Sequence, residues 1–144
     1  MEIQTIFLCK TITSADAFNN YDAKFAGLHS FFPIDGKYPF NIDLPFYMLL
    51  RREHRGHEDE FSLHFNLIDR DGKSIGEPTN FHVKGVFPEG HMFISVVGKI
   101  HFVFASEGDY RLDIIADQEA NPFLFQYSIE IISKDARGRQ TVVI

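Results

Sequence analysis

Tryptophan is missing from this chain of 144 residues, and cysteine occurs once, at Cys9. A lone thiol cannot close a disulfide within the chain, so the fold takes no support from oxidation, and no cysteine pair is at hand for a structural zinc site. Ile6-Phe7-Leu8, the apolar run near the start, is far too short for a membrane span or the core of a secretion signal. Met1-Glu2-Ile3-Gln4 ahead of it carries no basic cluster. A cytoplasmic location, with no membrane partner, is expected. An excess of positive charge is lacking as well, because twenty Asp and Glu outweigh fourteen Lys and Arg for a net charge of −6. A nucleic-acid groove needs a basic face, so no nucleic-acid partner is expected. Arg51, Arg52 and Arg55 do cluster, but Glu53 interrupts them and Glu58-Asp59-Glu60 follow. That group reads as a self-neutralised, solvated strand end.

What the chain has in abundance is phenylalanine, sixteen copies of it. Each buried Phe contributes roughly 1.5–3 kcal/mol, and a chain of this length buries about two-thirds of its unfolded surface. One core without metal or cofactor is therefore sufficient. Period-two alternation supplies the architecture. Phe61-Ser62-Leu63-His64-Phe65-Asn66-Leu67-Ile68 runs into the turn Asp69-Arg70-Asp71-Gly72, and Ile100-His101-Phe102-Val103-Phe104 runs through Glu107-Gly108-Asp109 into Tyr110-Arg111-Leu112. Further strands are expected over Ile3–Lys10, Tyr21–Phe31 with Gly27 inside it, Leu44–Glu53, Phe81–Lys84, Met92–Val97 with Lys99–Ala105, and Phe123–Ser133. Thr11–Asn20 reads as a polar stretch with one helical turn at Ser14-Ala15-Asp16-Ala17, and the Met92–Val97 and Lys99–Ala105 stretches form one long strand kinked at Gly98. In the last strand Phe123, Phe125, Tyr127, Ile129 and Ile131 share one face, which a helix could not arrange. The reading is all-β: a two-sheet antiparallel β-sandwich of eight or nine strands over residues 1–133, followed by a tail at 134–144.

Chemistry is harder to find. No G-x-S-x-G, glycine-rich phosphate cradle or H-E-x-x-H occurs, and no catalytic residue is assigned. His54, His57 and Glu58 make the one close cluster with metal-ligand spacing, although a third rigid ligand is not evident. His64, His82 and His101 alternate with core positions and so face outward. Asp69-Arg70-Asp71-Gly72 opens like a calcium loop but lacks the later oxygen ligands and terminal glutamate, so it reads as a turn. Cys9 alternates within an apolar strand, where a buried and unreactive thiol is expected. Aromatics in loops are the better lead, since connecting loops run over the surface. Phe32, Tyr38 and Phe40 crowd one loop and Phe87 sits in another. If both loops lie at one end, the four form an apolar surface for a protein or peptide. In the tail, Thr141-Val142-Val143-Ile144 is an apolar, β-prone end suited to pairing with a strand edge.

Several of these passages also carry a resemblance. They are Ala15-Asp16, Lys24-Phe25-Ala26-Gly27-Leu28, the run from Leu44 to Arg52, Leu67-Ile68-Asp69-Arg70-Asp71-Gly72, and Gly108-Asp109-Tyr110-Arg111-Leu112. Their layout resembles a family of small uncharacterised bacterial proteins with an immunoglobulin-like β-sandwich fold. The resemblance implies that fold and a bacterial source, and brings no catalytic or binding residues with it. The expected role is thus a non-enzymatic protein- or peptide-binding module, with Phe32, Tyr38, Phe40 and Phe87 as its contact surface. A metal- or small-ligand-binding protein using His54, His57 and Glu58, and a self-assembling component joined through a strand edge, stand as alternatives.

Overall fold

A computed structural model of the chain describes residues 1–14, 21–24, 26–76, 79–117 and 123–132. These residues form ten strands and no helix: β1 (Glu2–Leu8), β2 (Thr11–Ser14), β3 (Tyr21–Lys24), β4 (Ser30–Phe31), β5 (Phe40–Arg51), β6 (Asp59–Ile68), β7 (Phe81–Phe87), β8 (Phe93–Phe104), β9 (Gly108–Ala116) and β10 (Phe123–Ile131). The chain is all-β, as its alternation requires. No helix among the described residues is long and apolar enough to cross a membrane. The one-turn helix at Ala15, the connection at Glu119–Pro122, the proline at Pro78 and the tail lie outside the described residues.

Three sheets result, ordered β1-β5-β8, β4-β10-β9-β6-β7 and β2-β3. The count exceeds the expected eight or nine because the polar Thr11–Ser14 stretch pairs antiparallel with Tyr21–Lys24 instead of staying irregular. Its β-branched Thr11, Ile12 and Thr13 suit extended backbone. The expected strand Tyr21–Phe31 is split into β3 and β4, and Gly27 sits between them at φ +80°. Nor is every pair antiparallel: Ser30 and Phe31 lie parallel to Glu130 and Ile131 at the edge of the five-stranded sheet.

The expected long strand through Gly98 is present as β8. β8 keeps one continuous register with β5, from Phe40↔Phe104 to Arg51↔Phe93. A Cβ at Gly98 would stand 2.9 Å from Cε1 of Phe46, so the glycine makes room for a core ring across the strand pair. Pro45 sits within the central strand of this sheet, a place that normally needs an N–H for the ladder. It is tolerated because the β1 ladder ends beside it. The last bond on that side is Cys9 N–H to the Pro45 carbonyl at 2.9 Å, which asks nothing of the proline nitrogen.

One buried cluster draws on strands from both larger sheets. Leu8, Leu44, Phe46, Met48, Leu50, Ile100, Phe102 and Phe104 come from one sheet, and Phe61, Leu63, Phe65, Leu67, Tyr110, Leu112, Ile114, Ile129 and Ile131 from the other. Phe46 and Phe65 meet with ring centroids 5.4 Å apart, and Phe104 and Tyr110 at 4.8 Å. Cys9 is buried beside the Pro45 carbonyl at 3.5 Å, and burial pushes its thiol pKa up. The expected common face of β10 holds only in part. Ile129 and Ile131 are buried, but Phe125 is exposed and Leu124 packs on the core instead. An irregularity in the β9–β10 register between Phe123 and Phe125 exchanges the two faces there.

Candidate functional site

Residues 32–42 build a surface groove of about 500 Å³ whose apolar lining is Phe32, Pro33, Ile34, Pro39, Phe40 and Ile42. A tight turn shapes it: Gly36 N–H bonds the Pro33 carbonyl at 3.1 Å, with Gly36 at φ +68°, and Lys37 N–H bonds Asp35 Oδ1 at 3.0 Å. Ile34 and Asp35 are the middle residues of that turn, so their side chains stand at its tip. Ile34 is 81% exposed, the most exposed large hydrophobic among the described residues. Beneath it the groove is anchored. Phe40 stacks on Phe104 at 6.2 Å, and Tyr38 is half-buried against the core. Burial, then the nearby Glu107 and Tyr110, holds the Tyr38 hydroxyl above its ordinary pKa.

Phe87 does not belong to this surface. It closes β7, is 2% exposed, and packs edge-on against Phe61 at 5.4 Å. The guanidinium of Arg52 lies 5.4 Å from its ring centre. Arg52 follows the last residue of β5 and Phe40 is the first, so the whole twelve-residue strand separates the two aromatic groups. At about 3.3 Å per residue that is roughly 40 Å. The expected four-residue surface is therefore corrected: Phe32, Tyr38 and Phe40 share one end of the molecule, and Phe87 is a core residue at the other.

Arg52 likewise departs from its expected solvated role. It is 8% exposed, and every bond its side chain makes in the structure ends on a backbone carbonyl. Nε donates to His91 at 2.6 Å, Nη1 to His57 at 2.7 Å, and Nη2 to Gly56 at 3.3 Å and Pro88 at 3.1 Å. The fork of five guanidinium donors is used to lash the 53–58 and 88–92 connections together. Gly90 N–H adds a bond to the Gly56 carbonyl at 2.8 Å. His54 and His57 project from this clamp into solvent, each toward a glutamate: Glu53 at 4.0 Å and Glu89 at 3.8 Å. They are not brought together with Glu58, and among the described residues no group of three or more His, Cys, Asp or Glu is arranged to hold a metal ion.

A second cluster, absent from the sequence reading as a group, occupies the outer face of the five-stranded sheet. His64 and His82 are directly opposed across β6 and β7, with near-parallel rings 4.6 Å apart. His82 Nδ1–H donates to Asp117 Oδ2 at 3.2 Å, and Ser62 Oγ donates to the same oxygen at 2.5 Å. The Ser62 hydroxyl, then the two imidazoles, hold Asp117 below the usual carboxylate range. Ser62, His82 and Asp117, with Glu60, Lys84 and Val86, line a concavity of about 720 Å³. Both donors converge on one carboxylate oxygen, so the serine proton faces only a carboxylate whose lowered pKa makes it a weak base. That arrangement does not activate Ser62 as a nucleophile. The outward position of each residue is legible from alternation, but their meeting depends on the registers Ser62↔Lys84 and Leu63↔Ala116, which sequence does not encode locally. No family model matches the chain, and no curated protein matches it.

Proposed function

We propose that this chain is a non-enzymatic binding module that takes an extended, apolar segment of a partner protein in the groove formed by residues 32–42. One observation carries the reading: Ile34 stands 81% exposed at the tip of a hydrogen-bonded turn, above a groove walled by Phe32, Pro39, Phe40 and Ile42. A fixed turn that holds a large aliphatic side chain in water exposes apolar area that a partner would cover. The groove's mixed charge, Asp35 beside Lys37, leaves room for a peptide of either sign. The remaining parts of the reading are consistent with this role. Two sheets facing one core support a β-sandwich of immunoglobulin-like kind, and the resemblance noted above supports a bacterial protein. The acidic net charge and a core that needs no disulfide are in keeping with a cytoplasmic one.

Selection of phage-displayed random peptides on the purified protein tests the proposal. Enriched sequences should share an apolar core, and their affinity measured by fluorescence anisotropy should fall at least tenfold on Ile34→Asp, about 1.4 kcal/mol. Peptides that bind wild type and Ile34→Asp alike refute the groove.

A further inference from the structure

We propose that β8 pairs antiparallel with β8 of a second copy of this chain over residues 93–99, about a two-fold axis at Val96. β8 is an edge strand: in the three-stranded sheet it bonds β5 alone. In antiparallel strands the N–H and C=O of one residue point to the same edge, and the edge alternates along the chain. Two observations fix which residues aim away from β5. His101 uses its carbonyl to accept from Thr79 Oγ1 at 3.0 Å rather than from the neighbouring strand. Lys99 lies opposite Pro45, whose carbonyl serves β1 through Cys9 and whose nitrogen has no proton to offer. The backbone groups of Phe93, Ser95, Val97 and Lys99 therefore face the open edge.

Burial marks the same boundary. Not one of the seven residues from Phe93 to Lys99 is buried, whereas Ile100, Phe102 and Phe104 all are. The open stretch has a cap at one end: Thr79, itself fully buried, donates to the His101 carbonyl. At the other end the Arg52 N–H bond to the Met92 carbonyl, at 2.9 Å, continues the β5 ladder on the opposite side. Among the described residues no backbone bond reaches the outward-facing groups of residues 93–99. Long edges of this kind are templates for a further strand, and proteins that remain single blunt them with bulges, prolines or inward charges. This segment has none of the three, its one charged side chain, Lys99, stands at its end, and Phe93 and Val97 are 47% and 38% exposed within it.

A second copy fits this stretch without conflict. One antiparallel register satisfies all four open residues at once: Phe93 opposite Lys99, Ser95 opposite Val97, and their symmetric counterparts. In that register Ile94 meets Gly98 and Val96 meets itself, so a large side chain faces a vacant position and two valines close the axis. Lys99, the one formal charge in the stretch, faces a phenyl ring, which suits an ammonium. The two Lys99 side chains are then about 20 Å apart along the strands. The 93–99 stretch lies opposite the Pro45–Arg51 half of β5, far from the groove at Phe40, so the dimer and the peptide reading fail or stand separately.

Sedimentation equilibrium and site-directed crosslinking test the pairing. The wild-type chain should sediment at twice its 16.6 kDa at tens of micromolar. Val97→Pro removes only an N–H aimed at the open edge, so it should sediment as a single chain with an unchanged melting temperature. Val96→Cys places two thiols at the axis in a non-hydrogen-bonded pair, with Cα atoms about 4.5 Å apart, within disulfide reach. It should crosslink under mild oxidation at least tenfold faster than Ser95→Cys, whose counterpart is offset. A wild-type chain that stays single at 1 mM, or Val96→Cys and Ser95→Cys chains that crosslink at equal rates, overturns the proposal whatever Val97→Pro does.

Discussion

Removing the Arg52 fork while keeping its stem, as Arg52→Met, isolates the clamp. The side chain makes two short bonds to the His91 and His57 carbonyls and two longer ones to Gly56 and Pro88. A hydrogen bond to a charged group is worth about 1.5–3 kcal/mol net when its partner would otherwise be left dry. All four acceptor residues are exposed, so water replaces part of what is lost. Methionine preserves packing on Phe87 but ends the cation–ring contact, worth about 0.5–1 kcal/mol. The sum is a loss of about 3 kcal/mol, a large fraction of the roughly 5–15 kcal/mol typical of a domain. Urea unfolding should show a lower midpoint at unchanged slope. Arg52→Lys should recover less than half, since one ammonium cannot reach four carbonyls spread over two loops. Amide exchange gives the local readout: the Gly90 N–H, held by Gly56, should exchange at least tenfold faster in Arg52→Met. A midpoint shift worth under about 0.5 kcal/mol, or unchanged Gly90 protection, would refute the clamp.

Phe87→Ala should cost about 3–5 kcal/mol by thermal or urea unfolding, because it empties a fully packed site, whereas Ile34→Asp at an exposed turn tip should stay within about 0.5 kcal/mol. Gly85→Ala brings a Cβ within 2.5 Å of Phe61 Cζ; overpacking should lower stability by about 1–3 kcal/mol, and Phe61→Leu in the same chain should restore part of it. Asp117→Asn should destabilise the protein at pH 7 by about 1 kcal/mol through the charged bond to Ser62. Because folding lowers the Asp117 pKa, that stability is complete above the unfolded carboxylate value near 4 and drains away as pH falls through the folded value. The gap between wild type and Asp117→Asn in urea midpoint should therefore close as pH falls below about 4, and a gap that stays constant on acidification would contradict the assignment.

Strand identity was legible wherever side chains alternate strictly, as in Phe61, Leu63, Phe65 and Leu67, all buried on one face of β6. The acidic turn was legible for the same local reason. Asp69 Oδ1 accepts from the amides of Asp71 and Lys73, and Gly72 adopts φ +81°, a pattern contained within five residues. What escaped is what depends on partners far along the chain. Arg52 looks like its neighbours Arg51 and Arg55 until loops 36 to 39 residues away supply its carbonyls. Phe87 follows a loop-like Gly85-Val86, yet those residues belong to a strand because Phe61 fills the space a side chain at Gly85 would take. The groove was half legible: clustering of Phe32, Tyr38 and Phe40 pointed to it, while nothing local distinguishes the exposed Ile34 from an aliphatic bound for the core.

The parallel contact between β4 and β10 has a consequence for synthesis. The Leu28 and His29 carbonyls and the Phe31 carbonyl are met by the Tyr127 hydroxyl and by the amides of Glu130 and Ile132, at 2.6, 2.7 and 2.9 Å. A segment made early thus waits for about a hundred further residues to leave the ribosome before its bonds can close. Until Tyr127 emerges, the nascent chain carries Phe31 and its neighbours in water, and a chaperone that shields apolar stretches would find them there.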